Sequence, residues 1–156
     1  STIDDLATAL TAINAAIAGS FVAPTTEVEA SLDNKIRDFV VGDDFNVERD
    51  IISIPVGSTL AKAWFTVKLN EYDADASAIF QLDITSVYVS GKGQITDTGA
   101  DTVGHVSFEV SDTNSLLLTG DKVYYYDIQV LTSTSKLYTP EKGTILGKKQ
   151  ITRATS

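Results

Sequence analysis

The sequence has no cysteine and no methionine, and among 156 residues it has one histidine, one tryptophan and three prolines. Without cysteine there can be no disulfide and no thiolate metal ligand. With His105 as the single imidazole, a zinc site would rest on carboxylates alone beside it, which is not the chemistry zinc sites use. Cations are scarce: 12 Lys and Arg stand against 21 Asp and Glu, a net charge of −9. A nucleic-acid interface or an anionic membrane surface calls for the opposite sign, so no nucleic-acid partner and no membrane partner is expected. No stretch reaches the ~20 apolar residues of a membrane span. Asp4 and Asp5 stand where a signal peptide would carry Lys or Arg, so no signal is expected. The expectation is one domain with a soluble, acidic surface, plus an appendage.

The stretch Lys122–Leu131, KVYYYDIQVL, is the centre of what remains. Tyr124, Tyr126, Ile128 and Val130 fall on one face of a strand, and Tyr125, Asp127 and Gln129 on the other. Gly120-Asp121 before it and Thr132-Ser133-Thr134-Ser135 after it are turn chemistry. This alternation predicts a central β-strand that covers a core with its first face.

Residues 1–20 predict an amphipathic helix. Thr2 suits the N-cap, with Asp4 and Asp5 in the first turn and Gly19-Ser20 at the end. Ile3, Leu6, Leu10, Ile13 and Ile17 are spaced 3, 4, 3, 4, which is a heptad seam. Ala7, Ala9, Asn14 and Ala16 flank it without the charges of a dimeric zipper. Mixed Ile and Leu in the seam favours three or more strands. A lone helix of this length is marginal in water, so the seam needs a partner. That partner is the chain's own β-domain, other copies, or a different protein. Residues 21–35 read as a connector. Val28, Leu32 and Ile36 recur every four residues, which predicts one or two helical turns after Thr26, with Glu29 closing a capping box.

From residue 36 to 156 the pattern is all β. Ile36–Val41 and Phe45–Ile54 flank a turn at Gly42-Asp43-Asp44, and Pro55–Ser58 is a second turn. Ala61–Leu69 puts Ala63, Phe65, Val67 and Leu69 inward and Trp64, Thr66 and Lys68 outward. Ala78–Thr85 buries Phe80, Leu82 and Ile84. Val87–Val89 and Gln94–Thr96 form a hairpin candidate around Ser90–Gly93. Val103–Val110 buries Val106, Phe108 and Val110. Ser115–Leu118 leads into the central strand. Lys136–Thr139 and Thr144–Thr152 flank Pro140–Gly143, whose Pro and Gly suit a turn. Short strands with turn signals every 8–12 residues and no helical crossovers predict an antiparallel β-sandwich.

Catalytic constellations are weak. Ser107 lies two residues from His105 on one face, but nothing orients the pair as nucleophile and base. Glu71, Asp73 and Asp75 alternate as calcium ligands could, yet the glycine and later ligands of an EF-hand loop are missing. Asp97, Asp101 and Asp112 are sparser still. Gly91-Lys92-Gly93 opens no helix and so is no phosphate loop. No cofactor is expected, and no enzyme. Trp64, Tyr125 and Tyr72 fall away from the core phase and are the candidate partner contacts, through stacking on a sugar or burial in a protein interface.

Several pieces in the β region go together: Gly42-Asp43-Asp44-Phe45, Ala63–Lys68, Gly93–Asp97, Tyr125–Val130 and Tyr138–Gly143. In this order and spacing residues 36–153 resemble the immunoglobulin-like β-sandwich of tailed-bacteriophage virion proteins, and are similar to the N-terminal domain of phage baseplate upper proteins. The run YYDIQ followed by YTPEKG carries most of the likeness. The resemblance implies a non-enzymatic structural part of a virion, assembled in the host cytoplasm. If Ser156 closes the protein, it implies a small stand-alone component: a capsid decoration (cement) protein or head-fibre base, present as a homotrimer bound to phage capsid or tail proteins. The competing expectations are a tail or baseplate adaptor, a fibre-attachment protein, and a module that binds a host receptor or carbohydrate. True immunoglobulin domains are a partial likeness only. Tyr124 and Tyr126 stand where a tyrosine corner and the second cysteine would, but cysteine is absent and Trp64 is off the core phase.

Overall fold

The computed structural model describes residues 34–151 together with Thr8. The heptad Ile3, Leu6, Leu10, Ile13 and Ile17 and the helical turns expected after Thr26 lie outside the described residues. The rest is mainly β. Eight strands follow in order: β1 Asn34–Ile36, β2 Phe45–Ile51, β3 Leu60–Lys68, β4 Phe80–Ile84, β5 Gly93–Asp97, β6 Gly104–Val110, β7 Tyr124–Thr132 and β8 Leu137–Ile145. One sheet has five strands in the order β1-β8-β7-β3-β4, and the other three, β2-β6-β5. Every strand pair is antiparallel except β1 with β8.

The predicted central strand is the middle strand of the larger sheet. Along β7, Tyr124, Tyr126, Ile128, Val130 and Thr132 are buried and the residues between them half-buried. This is the period-2 signature of a strand with one face on a core. Ala63, Phe65 and Val67 of β3 and Phe80, Leu82 and Ile84 of β4 share that face. Val47, Ile51, Ile95, Val106, Phe108 and Val110 complete the core from the smaller sheet. Phe65 lies at its centre, with ring centroids 5.6 Å from both Phe108 and Tyr126. Burial of each such side chain stabilises the fold by about 1.5–3 kcal/mol.

Five local expectations are corrected. Pro140–Gly143 is no hairpin turn, because β8 runs unbroken through it. The strand absorbs Pro140 at an irregularity, where the pairing with β7 shifts between Ile128 and Val130. Proline is tolerated there because the ladder with β7 is already interrupted at that irregularity, so its missing N–H breaks no regular pairing. The all-β reading from residue 36 onward missed a helical turn ahead of the central strand. Asp112–Ser115 forms one helical turn, capped by Ser111, whose hydroxyl accepts from the Asn114 N–H at 3.3 Å. Val87–Val89 shrinks to a single bridge between Val89 and Gly93. Leu69 is 42% exposed, since β3 ends one residue earlier. The segments flanking Gly42–Asp44 do surround a turn, with Asp43 N–H donating to Val40 O at 3.1 Å. They belong to different sheets, however. The strand before it starts at Asn34, within the expected connector, and pairs with β8.

Candidate docking face

The outer face of the five-stranded sheet gathers the residues that alternation sends away from the core. In register, Trp64 lies between Asp83 of β4 and Gln129 of β7, Thr66 between Gln81 and Asp127, and Lys68 opposite Tyr125. Tyr125 is flanked on its other side by Thr144, and Asp127 by Lys142. Trp64 and Tyr125 therefore share one face, about 13 Å apart along the strands at ~3.3 Å per residue. Both are half-buried. Tyr72, 92% exposed, sits on the β3–β4 loop, which leaves the sheet at the Tyr125 end.

The polar groups on this face hold one another. Lys62 Nζ lies 5.1 Å from the Trp64 ring centroid and 3.4 Å from Asp83. Lys92, from the loop before β5, reaches the same carboxylate at 2.5 Å. Lys92, with Lys62 behind it, holds the Asp83 carboxyl below its ordinary range against the opposing effect of burial. Gln81 Nε2 donates to Thr66 Oγ1 at 2.9 Å, and Thr66 is 1% exposed although it is on the outer face. Lys68 Nζ bonds Asp75 at 2.7 Å. Beneath this cover the Asp127 Oδ1 atom is buried, with no hydrogen-bond partner among the described residues. Burial pushes the Asp127 carboxyl above its ordinary range, Asp75 adds to this, and Lys68, Lys142 and Thr66 oppose it. The face is broad, with two aromatic rings set in a lattice of paired charges.

The other candidates do not converge. His105 Nδ1 lies 2.7 Å from Asp50 Oδ1, and Ser107 Oγ instead donates to Glu48 at 3.4 Å. Asp73 accepts from the Asn70 N–H at 3.1 Å, while Asp75 is held by Lys68, so the alternating acids with Glu71 form no ligand set. Asp97, Asp101 and Asp112 each accept from a backbone N–H one or two residues on. Among the described residues no three His, Cys, Asp or Glu side chains are placed to hold a metal.

Two features escaped the sequence reading. At one end of the sandwich an apolar cleft of about 440 Å³ opens between β2 and β8, lined by Ile51, Ile54, Leu60, Val130, Tyr138 and Pro140. Beside it Arg49 reaches across from β2 to Glu141 of β8, with Nε 2.9 Å from Oε2, and Tyr126 donates its hydroxyl to the same carboxylate. Burial and the Glu141 carboxylate raise the Tyr126 phenol. Burial opposes the Arg49 charge, but Glu141 outweighs it and raises that group also. The available signal was Arg49 itself, an inward cation in phase with Val47 and Ile51. Its partner was hidden by reading Glu141 as part of a turn.

No protein-family model matches the chain, and no curated protein matches it.

Proposed function

We propose that this chain is a non-enzymatic structural protein of a bacteriophage virion. An immunoglobulin-like sandwich docks on the particle surface through the outer face of its larger sheet, and the N-terminal heptad helix gathers three copies. The observation that carries the docking role is that Trp64 and Tyr125 share one broad face on which Lys62 and Lys92 pair with Asp83, and Lys68 with Asp75. Such a face suits burial against another protein, because aromatic rings supply area at small entropic loss and paired charges need little further desolvation.

Strand order supports the immunoglobulin-like reading. In that fold one sheet contains B-E-D and the other G-F-C, extended by C′ in variable-type domains. Here β2-β6-β5 and β8-β7-β3-β4 have those orders. Tyr124, at the start of the strand that corresponds to F, accepts from the Thr119 N–H at 2.8 Å, a bond resembling the tyrosine corner. The departure is on the strand that corresponds to C, where Phe65 fills the core and Trp64 faces out. A capsid decoration protein or head-fibre base is the preferred position, and a tail or baseplate adaptor the alternative. Tyr72, almost wholly exposed, is what favours a glycan- or receptor-binding module.

The test is co-sedimentation of the purified full chain with separated heads and tails of the phage that encodes it. Binding to heads, lost in Trp64→Ala/Tyr125→Ala, supports decoration, and binding to tails moves the protein to the adaptor position. Failure to bind either, with a glycan-array signal that Tyr72→Ala removes, overturns the structural reading.

A further inference from the structure

We infer that the docking face continues past the β4 edge onto residues 85–91, and that Val87, Tyr88 and Val89 form the apolar centre of the contact with a protein partner. The inference deepens the docking reading and rests on it. Three observations carry it.

The first is exposure. Residues 85–90 are all exposed. Val87 is 68% exposed, Tyr88 54% and Val89 46%, the one run of three large apolar residues left in water among the described residues. Thr85-Ser86-Val87-Tyr88-Val89-Ser90-Gly91 carries no charge, in a chain of net charge −9. The fully buried centre of a protein interface is apolar and depleted of charge, and its rim is polar. Trp64 and Tyr125 are half-buried among Lys62, Lys68, Asp83 and Lys92, which is the composition of a rim. The Val-Tyr-Val run supplies the accessible apolar area that those two rings lack.

The second is rigidity. An apolar loop that moved freely would lose conformational entropy on docking. This one is pinned at both ends and in the middle. The Ile95 N–H donates to Thr85 O at 2.7 Å, and the Glu109 N–H to Lys92 O at 3.0 Å. Between them the Val89 N–H donates to Gly93 O at 3.0 Å. A turn closes from the Lys92 N–H to Val89 O at 3.1 Å, with Gly91 at a φ of 76°. The Glu109 carboxylate accepts from the Gly91 N–H at 3.1 Å and from the Tyr88 hydroxyl at 3.2 Å. The apolar side chains are therefore presented on a backbone that is already ordered.

The third is continuity. Lys92, at the end of the same turn, places Nζ 2.5 Å from Asp83, and Asp83 is the register partner of Trp64. One ion pair thus joins the run to the docking face, and a partner seated on Trp64 meets the run at its border. A stable protein contact buries roughly 800 Å² on each side. Two half-buried rings fall short of that, so the partner has to reach beyond them.

The test uses the full chain with the separated heads and tails. Val87→Ser/Val89→Ser removes apolar area at exposed positions, so the urea midpoint should stay where it is. Binding to the particles should fall by about tenfold or more. Val56→Ser is the control: it lies on the β2–β3 loop, 91% exposed, and should bind as the unsubstituted chain does. Retained binding in Val87→Ser/Val89→Ser, beside loss in Trp64→Ala/Tyr125→Ala, overturns this inference and leaves the docking face standing. An equal loss in Val56→Ser overturns it as well, because any exposed valine would then serve. So does a lower light-scattering mass for Val87→Ser/Val89→Ser than for the unsubstituted chain, because the run then joins copies of this chain. An unsubstituted chain that binds neither heads nor tails overturns the virion reading, and this inference with it.

Discussion

Arg49 on β2 and Glu141 on β8 tie the two sheets together through one guanidinium nitrogen, with Nε 2.9 Å from Oε2 and 3.1 Å from Oε1. Tyr126 on β7 donates to the same carboxylate. In immunoglobulin domains a disulfide spans the sandwich from B to F. In the proposed correspondence those strands are β2 and β7. This chain, without cysteine, spans the space beside them with a cation, a carboxylate and a phenol. The Glu141 side chain is 14% exposed and that of Arg49 34%.

Removing Glu141 alone should therefore be worse than removing the pair. Glu141→Leu leaves the Arg49 charge and the Tyr126 hydroxyl without their acceptor, and we expect a loss of about 2 kcal/mol. That is below the range for fully buried pairs, because Arg49 keeps a third of its side chain in water. Arg49→Leu/Glu141→Leu should recover much of the loss, as apolar replacements of whole buried pairs do. Urea denaturation of the two single variants and the double variant measures the coupling. Additive losses would mean that the three groups do not act as a unit.

Gly143 is the point where β1 meets β8. A Cβ there would collide with the Asn34 carbonyl oxygen and lie 2.8 Å from the Tyr126 ring. Neither neighbour can withdraw, one being backbone and the other a buried ring. Gly143→Ala should cost about 1–3 kcal/mol by overpacking and should detach β1 first. The reporter is the Leu146 amide, which donates to Ile36 O at 3.0 Å. Its exchange should accelerate before that of amides in β7.

What could be read in the sequence follows from how local its physical cause is. β7, β3 and β6 were legible because an alternating strand shows its core face without reference to neighbours: Tyr126, Phe65 and Phe108 sit where their phase puts them. Trp64 and Tyr125 were placed outward by the same rule. Pro140 misled because proline and glycine mark turns only when the backbone needs one. In β8 the missing N–H is tolerated at an irregular position, and Gly143 answers a close approach from Asn34. That reason lies 109 residues away in the chain, between positions 34 and 143. The apolar cleft and the Arg49–Glu141 bridge are products of two sheets meeting, which no window of sequence contains.

Two carboxylates on the outer sheet face should titrate in opposite directions. Asp83, held by Lys92 and Lys62, is displaced downward, so its contribution to stability is present above the ordinary carboxylate range and lost as pH falls through the lowered value. Asp127, pushed up chiefly by burial, binds its proton more tightly folded than unfolded, so stability declines as pH rises from the ordinary range through the raised value. Asp127→Asn should stabilise the protein at neutral pH by about 1 kcal/mol, since it removes a charge with a buried unpaired oxygen. It should also flatten that decline. Carboxyl chemical shifts across the acid range test both directions. An Asp127 that titrates below Asp83 would mean that Lys68 and Lys142 outweigh burial.

The trimer prediction rests on the heptad alone. Ile3, Leu6, Leu10, Ile13 and Ile17 would pack into a short bundle with small residues on both flanks, and Leu10 lies at its middle. An aspartate there would set several like charges against one another in an apolar seam, which a bundle of this length cannot tolerate. Light scattering of the full chain should give three times 16.7 kDa, and Leu10→Asp should give the single-chain mass with the β circular-dichroism signal unchanged. Were the unsubstituted chain already monomeric, the seam would lie on its own sandwich or await another protein. Docking would then depend on one copy of the Trp64 and Tyr125 face instead of three. Repetition by symmetry multiplies a modest interface, so a monomer would favour the adaptor position, where one strong contact suffices, over decoration.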